Sequence, residues 1–458
     1  MTSSRTPTPR FGRCASAIIA LCAPWLICPA AQAAIKLDCT ETSLGRLAPG
    51  ARDKAIIFSP DGRRMAYPVQ RKSGWVVVVD GVESREYEWV LERTLTFSPD
   101  SAHVAWVVQR GRNMHLVCDG ADFPEYQEVL RPVFSPDGKR LAFFARKGPG
   151  DKYVLVVDGN ETGEYQNPRT LTFSPDGKRM ALSCGPDKQR MWVVDGKPGR
   201  AYEAIGPIAF SPDGSRFAYV GEREGRCHIV VNGEETAHYD RAGGIAFSPD
   251  GRRMVHAAER QRKCFIVLDG VEGKPYDLVS EAQFSPDGSR LAYIAIRNRI
   301  WMAVLDGEEG PGHDRLGDLT FSADGKHFAY RAIDDRRYKI VLDGKETKDY
   351  QRIGAFALSR DGSRLAFAAK EGEKEFLVLD GRELPGPGNI SMSPDGRYVA
   401  HQLDTPLSSV LMVNGERGRE YDGFLKGSRW VFHGPDRFVL FAGRKGEILR
   451  VEVRIVEQ

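Results

Sequence analysis

Apolar residues in this chain come in short runs separated by turn-forming clusters, and the layout around Phe247 is typical. Ile245, Ala246 and Phe247 lead into Ser248-Pro249-Asp250-Gly251. A second apolar run follows, then a charged loop from Glu259 to Lys263, a third run Phe265-Ile266-Val267-Leu268, the pair Asp269-Gly270, and Tyr276. Runs of this length, rich in β-branched and aromatic residues and bounded by Gly, Pro and Asp, predict strands and not helices. In Ser-Pro-Asp-Gly the proline presets φ for a type I turn, the aspartate suits the next position and the glycine accepts the positive φ that follows. Asp-Gly between two runs is the two-residue hairpin signal. One unit therefore encodes three clear strands and a short fourth near the tyrosine.

The unit recurs. Its first turn begins after Phe58, Phe97, Phe134, Phe173, Phe210, Phe247, Phe284, Phe321, Leu358 and Met392, with a worn copy at Phe432-His433-Gly434-Pro435-Asp436; most copies stand 37 residues apart. A fixed period of this size signals a solenoid, propeller or array, and the spacing leaves no room for another domain between copies. Trp75 to Val79 and Leu141 to Ala145 are apolar on both faces, as expected of a sheet sandwiched between neighbours. The hairpin turns exclude a parallel β-helix. The pattern predicts an all-β fold, a β-propeller of about 10–11 four-stranded repeats, built as one large ring or as two rings packed together. Ile35-Lys36-Leu37-Asp38-Cys39 lines up with the third strand and turn at 266–270, so the N-terminal segment is expected to add a strand to the last repeat and remove two open edges.

Residues 1–33 are a different text. Arg5, Arg10 and Arg13 precede an apolar stretch from Ala15 to Ile27, and Ala31-Gln32-Ala33 supplies the small residues of a cleavage site. This predicts a signal peptide at 1–33, a propeller array over 34–458 and a periplasmic or secreted protein. The apolar stretch is too short and proline-broken to span a membrane, and no other follows. Cleavage would remove three arginines and no acids, so the formal charge of +3 resides in the leader and 62 basic residues face 62 acidic ones beyond it. That balance excludes a generally basic nucleic-acid binder. Cys39, Cys118, Cys184, Cys227 and Cys264 remain, an odd number that leaves at least one thiol unpaired. Cys227 and Cys264 share a register in adjacent repeats, but packed sheets stand roughly 10 Å apart, beyond disulfide reach; the five are read as small buried hydrophobes.

The units Phe134-Ser135-Pro136-Asp137-Gly138-Lys139-Arg140-Leu141-Ala142-Phe143 and Phe284-Ser285-Pro286-Asp287-Gly288-Ser289-Arg290-Leu291-Ala292-Tyr293 resemble the WD40-like PD40 β-propeller repeat of the periplasmic protein TolB and of prolyl-oligopeptidase-type peptidases. The resemblance runs from about residue 50 to 445 and implies an envelope location and protein binding. Two departures separate the chain from these relatives. Only about 20 residues lie between the expected cleavage site and the first repeat, where TolB-like proteins carry an α/β domain, and the Gly-x-Ser-x-Gly elbow of the peptidases occurs nowhere.

The repeated aspartates Asp61, Asp100, Asp137, Asp176, Asp213, Asp250, Asp287, Asp324, Asp361 and Asp395 form a ring that suggests cation binding, but a residue present in every copy is explained by its own turn, where it accepts backbone N–H bonds. Tyr87, Tyr126, Tyr165, Tyr202, Tyr239, Tyr276, Tyr350 and Tyr421 follow the Asp-Gly or Asn-Gly pairs at a fixed distance and are read as inter-blade packing with the hydroxyl reaching water; His313 and Pro387 break the row. The nine histidines form no metal-binding or nucleophile spacing, and there is no P-loop. No catalytic, cofactor or metal residue is therefore assigned. The variable segment is the loop between second and third strands, which carries Arg71, Lys72, Arg110, Arg112, Arg260, Arg262, Arg297, Arg299, Arg336 and Arg337. These loops share one face of a propeller and form the candidate interaction face. The sequence thus predicts a non-enzymatic exported scaffold that binds an envelope or extracellular protein, an acidic one by this charge. Its rival is a propeller enzyme or carbohydrate or anionic-ligand binder with a site in the axial funnel.

Overall fold

The computed structural model describes residues 34–49, 51, 55–386 and 390–458. Residues 1–33, expected to be a leader, and Pro387 lie outside the described residues.

Turn chemistry sets the strand boundaries. At each Ser-Pro-Asp-Gly the serine carbonyl accepts the glycine N–H, as in Gly251 to Ser248 at 2.8 Å, with Gly251 at φ 72°. At each second turn aspartate and glycine both take positive φ, for example Asp269 at 52° and Gly270 at 83°, the type I′ geometry that matches strand twist. The result is eleven antiparallel sheets, ten of them following the chain from first to fourth strand. In chain order the blades span 57–83, 89–122, 128–166, 170–198, 204–239, 241–272, 278–313, 315–346, 352–385, 390–421 and 423–457, the last completed by Ile35–Arg46. In four blades the first strand is broken into two short pieces. First strands of successive blades approach one another around the axis, as between blades 5 and 6 and blades 6 and 7.

The eleven blades form one ring and not two. Each hydrophobic cluster bridges two consecutive blades: Tyr239 with Phe265 between blades 5 and 6, for instance, and Tyr276 with Tyr293 between blades 6 and 7. The sequence of interfaces closes where Phe441 and Ile448 of blade 11 pack against Met65, Tyr67 and Val69 of blade 1.

Closure is also made by backbone pairing, because both ends of the chain share blade 11. Ile35–Arg46 pairs antiparallel with Glu447–Glu457, from Ile35 opposite Glu457 to Ser43 opposite Leu449. This segment is the fourth strand of the blade, not the third that its alignment suggested. The last repeat supplies its own third strand, and Ile35–Arg46 alternates half-buried Ile35, Leu37 and Cys39 with exposed Lys36 and Asp38. Such one-sided alternation belongs to an outer strand, whereas the third strand Trp75–Val79 is buried along most of its length.

Candidate interaction face and an inter-blade cleft

The antiparallel order puts the turns between strands 1 and 2 and between strands 3 and 4 on one face, here the turn face. The hairpins between strands 2 and 3, with the blade-to-blade connections, lie on the other, the hairpin face.

On the turn face every repeated polar residue is occupied. The serine of each turn is buried and donates to the aspartate two residues on, at 2.5 Å for Ser248 to Asp250 and 2.6 Å for Ser211 to Asp213. Its oxygen also accepts the N–H five residues on, Arg253 to Ser248 at 2.9 Å. The aspartate accepts in addition a backbone N–H, Arg252 to Asp250 at 3.0 Å. These bonds favour the carboxylate, and the serine hydroxyl above all holds Asp213, Asp287 and Asp361 down at about 2. The aspartates are turn residues, as expected; the buried serine was not singled out.

The second aspartate reaches back across its blade. Asp306 accepts Leu291 N–H at 2.8 Å through one oxygen and Arg290 Nε at 2.9 Å through the other. Arg290 continues into the next blade, where it donates to the Lys326 carbonyl at 3.3 Å. Arg364 repeats the device with Asp380 and the carbonyls of Gly396 and Arg397 at 2.9–3.0 Å, and Arg253 pairs with Asp269 while stacking 5.4 Å over Phe284 of the following blade. His103 and His327 stand in for the arginine and meet Asp119 and Asp343 through Nδ1 at 2.6 Å. The signal for these staples was the basic residue six positions after each phenylalanine.

The rim carries a second joint. All of the tyrosine row but the half-buried Tyr165 is buried, and five of its hydroxyls donate to a carboxylate of the next blade, Tyr126 to Glu161 at 3.1 Å, Tyr202 to Glu235 at 2.8 Å, Tyr276 to Glu309 at 2.9 Å, Tyr350 to Glu383 at 3.2 Å and Tyr421 to Glu41 at 3.0 Å. Burial, followed by the Glu161 carboxylate, pushes Tyr126 up to about 12. Glu41, on the N-terminal strand, also takes Arg444 at 2.5 Å and Arg419 at 2.9 Å, so the closure seam repeats the joint used elsewhere. In blade 7 His313 replaces the tyrosine and bonds Asp334 at 2.9 Å. His313, Asp334 and Glu346 could together face a cation, but the Lys339 ammonium already sits 3.2 Å from Asp334 and 2.9 Å from Glu346.

This rim chemistry divides the candidate interaction residues. Arg71 pairs with Glu83, Arg110 with Glu125 at 3.1 Å, Arg260 with Glu272 at 2.6 Å, Arg297 with Glu309 at 2.9 Å and Arg337 with Asp349 and Glu371 at 3.1 and 2.9 Å. Arg260 and Arg297 also cover Tyr239 and Tyr276, at 5.0 and 4.8 Å. Lys72, Arg112, Arg262, Arg299 and Arg336 are exposed at or beside hairpin tips, with Arg262, Arg299 and Arg336 at φ 62–67° in the turn itself. No carboxylate pairs with these five among the described residues. A single cationic face thus becomes two groups of unpaired charges, in blades 1 and 2 and in blades 6 to 8.

Two clefts open between blades on the hairpin face. One, about 350 Å³, lies between blades 1 and 2 and is walled by Trp75, Trp89, Val90 and Leu91, with the two indoles edge to face at 4.9 Å. The other, about 680 Å³, lies between blades 4 and 5 and is lined among others by Arg169, Thr170, Lys188, Arg190, Trp192 and Glu203.

The five cysteines among the described residues are free. Cys184 and Cys227 are buried and the others half-buried; burial first, then Asp119, pushes the Cys118 thiol to about 12. Among the described residues no helix is long and apolar enough to cross a membrane.

No family model matches the chain, and no curated protein matches it either. Solved structures of similar fold include the Dos1 propeller (10% identity, TM-score 0.31, covering 61% of this chain and 90% of that one) and the β-propeller domain of the Trilobed protease from Pyrococcus furiosus, described as having an open velcro topology (12%, 0.28, 66% and 96%). A eukaryotic initiation factor is similar at 12% identity and TM-score 0.42, covering 78% and 97%. The chain is an eleven-bladed β-propeller, and these likenesses concern the fold alone.

Proposed function

We propose that the chain is an exported, non-enzymatic propeller of the PD40, TolB-like kind that presents its hairpin face to an acidic protein of the cell envelope. The observation that carries this reading is the unequal use of charge. Turn-face arginines such as Arg290 and Arg364 are spent on neighbouring blades, while Lys72, Arg112, Arg262, Arg299 and Arg336 have no such duty and stand in solvent. Unpaired like charges spread over one face steer an oppositely charged partner and contribute little to folding. The ring closed by Ile35–Arg46 makes that face rigid, which lowers the ordering cost of binding.

The test is retention of envelope proteins on immobilised wild type and on a variant with all five residues changed to glutamine, at low and high salt. An envelope protein held by wild type at low salt, released by salt and not held by the variant supports the reading. Equal retention by both would overturn it. Amino-terminal sequencing of the protein from intact cells tests export: a start at Ala34 is expected, and a product that keeps Met1 would contradict it.

A further inference from the structure

Arg190 is the only arginine or lysine that is buried among the described residues, at 6% exposure. It begins the third strand of blade 4 and bridges Tyr202. At the same register other blades place Trp75, Met114, Cys264 and Tyr338, each bridging its own tyrosine, and blade 10 places Ser409 opposite Tyr421, so each of these is uncharged. The guanidinium bonds the Gly185 carbonyl and, at 3.0 Å, the Asn167 carbonyl, both through Nη1. Carbonyls satisfy a donor but do not neutralise a charge, and a buried guanidinium without a counter-anion is costly. Several half-buried arginines of other blades have one, Arg146 with Glu128, Arg331 with Asp318 and Arg444 with Glu41, while the less buried Arg216 is met by the carbonyls of Gly251 and Arg252. Arg190 has no carboxylate within ion-pair distance among the described residues. The nearby Asp187 turns to Arg169 at 3.3 Å and is almost fully exposed. Burial and the neighbouring Arg169 both disfavour the charged form of Arg190.

The missing anion has a place to sit. Arg190 lines the cleft of about 680 Å³ between blades 4 and 5, together with Arg169, Lys188, Thr170 and the indole of Trp192. That volume falls in the range of small-molecule sites, roughly 300–1,000 Å³. Glu203, also in the lining, accepts the Glu224 N–H at 3.1 Å through one oxygen. We infer that this cleft binds a small anion whose carboxylate or phosphate group supplies the counter-charge to Arg190, with Arg169 and Lys188 at its mouth. The planar donor fork of arginine suits both groups. The inference is independent of the protein partner proposed above.

The test is calorimetric titration of the purified protein, at low chloride, with succinate and separately with inorganic phosphate. Melting is compared in the same salts at equal ionic strength. Wild type is expected to bind at least one probe saturably and to melt higher in it, the better probe telling carboxylate from phosphate. Arg190→Met, which copies the residue blade 2 uses at this register, is expected to lose affinity at least tenfold and to lose the anion-dependent rise in Tm. Should that variant not fold, Arg169→Gln with Lys188→Gln leaves the core untouched and is expected to weaken binding several-fold. The proposal is overturned if wild type binds neither probe at millimolar concentration, or if the variants bind as wild type does.

Discussion

Arg290 and Arg299 belong to the same blade and do opposite things. Arg290, on the turn face, grips Asp306 and reaches the backbone of the next blade; Arg299, at a hairpin tip on the other face, touches no carboxylate and stands in solvent. The difference follows from repetition. Residues that recur in every copy are bound by neighbours that recur with them, so the turn face is a structural lattice. Hairpin tips face no such neighbour, and their charges are left over. Residue type alone therefore does not tell a structural arginine from one left in solvent; what tells them apart is a partner on the same or the next blade.

The comparison breaks first at the seam, where the lattice depends on a strand from the other end of the chain. Removing residues 34–46 uncovers the edge of Glu447–Glu457, strips Ile35, Leu37 and Cys39 from the blade 10–11 core and deprives Tyr421 and Arg444 of Glu41. Partly buried apolar side chains at roughly 1.5–3 kcal/mol each when fully buried set the loss at about 3 kcal/mol or more, with an exposed edge prone to association. Thermal melting and size-exclusion chromatography should show a much lower Tm and higher oligomers. A closed, monodisperse truncated ring of wild-type stability would show that the seam is not the closure.

Acid is the next lever. Asp213, Asp287 and Asp361 have folded pKa values depressed to about 2 by their turn bonds. Their contribution is complete above the ordinary carboxylate pKa of roughly 3.9 and is lost as pH falls through the folded value. Calorimetry should give a Tm nearly level from pH 7 to 5 that drops between about pH 4 and 2. A Tm that rises on acidification through this window would remove the turn lattice as a source of stability.

Single turn-face changes are smaller. Ser248→Ala takes the buried hydroxyl from both Asp250 and the Arg253 N–H and should cost about 2 kcal/mol, read as a shift of the denaturation midpoint at constant slope. Tyr276→Phe removes one bond to Glu309 and keeps the ring packed, so about 1 kcal/mol is expected. Loss of the same size or more from the rim would make the tyrosine joint, not the turn, the stronger tie.

The turns, the strands and the period were legible in the chain because each depends on residues close in sequence: Ser-Pro-Asp-Gly and Asp-Gly carry their geometry with them. The choice of one ring was not, since it is settled by contacts such as Phe441 with Met65 that join the two ends. The basic loops were legible as charge but not as pairs. Arg260 and Glu272 stand twelve residues apart, on strands whose register fixes their meeting. Tyr202 and Glu235 lie in successive blades, so only the stacking of blades discloses that bond. In the sequence Arg190 is one arginine among many, and its unusual register shows once the bridges to the tyrosine row are laid side by side.

The most direct test of the division between faces is a paired measurement of stability and association. One variant carries glutamine at Lys72, Arg112, Arg262, Arg299 and Arg336; the other carries it at Arg64, Arg179, Arg253, Arg290 and Arg364, each of which pairs with an aspartate on the turn face. The hairpin variant is predicted to melt within about 0.5 kcal/mol of wild type while its association with the acidic partner proposed above slows and loses its salt dependence. The turn variant is predicted to melt far lower and, below its melting point, to associate as wild type does. A stable turn variant that no longer associates, beside a hairpin variant that associates normally, would contradict the account.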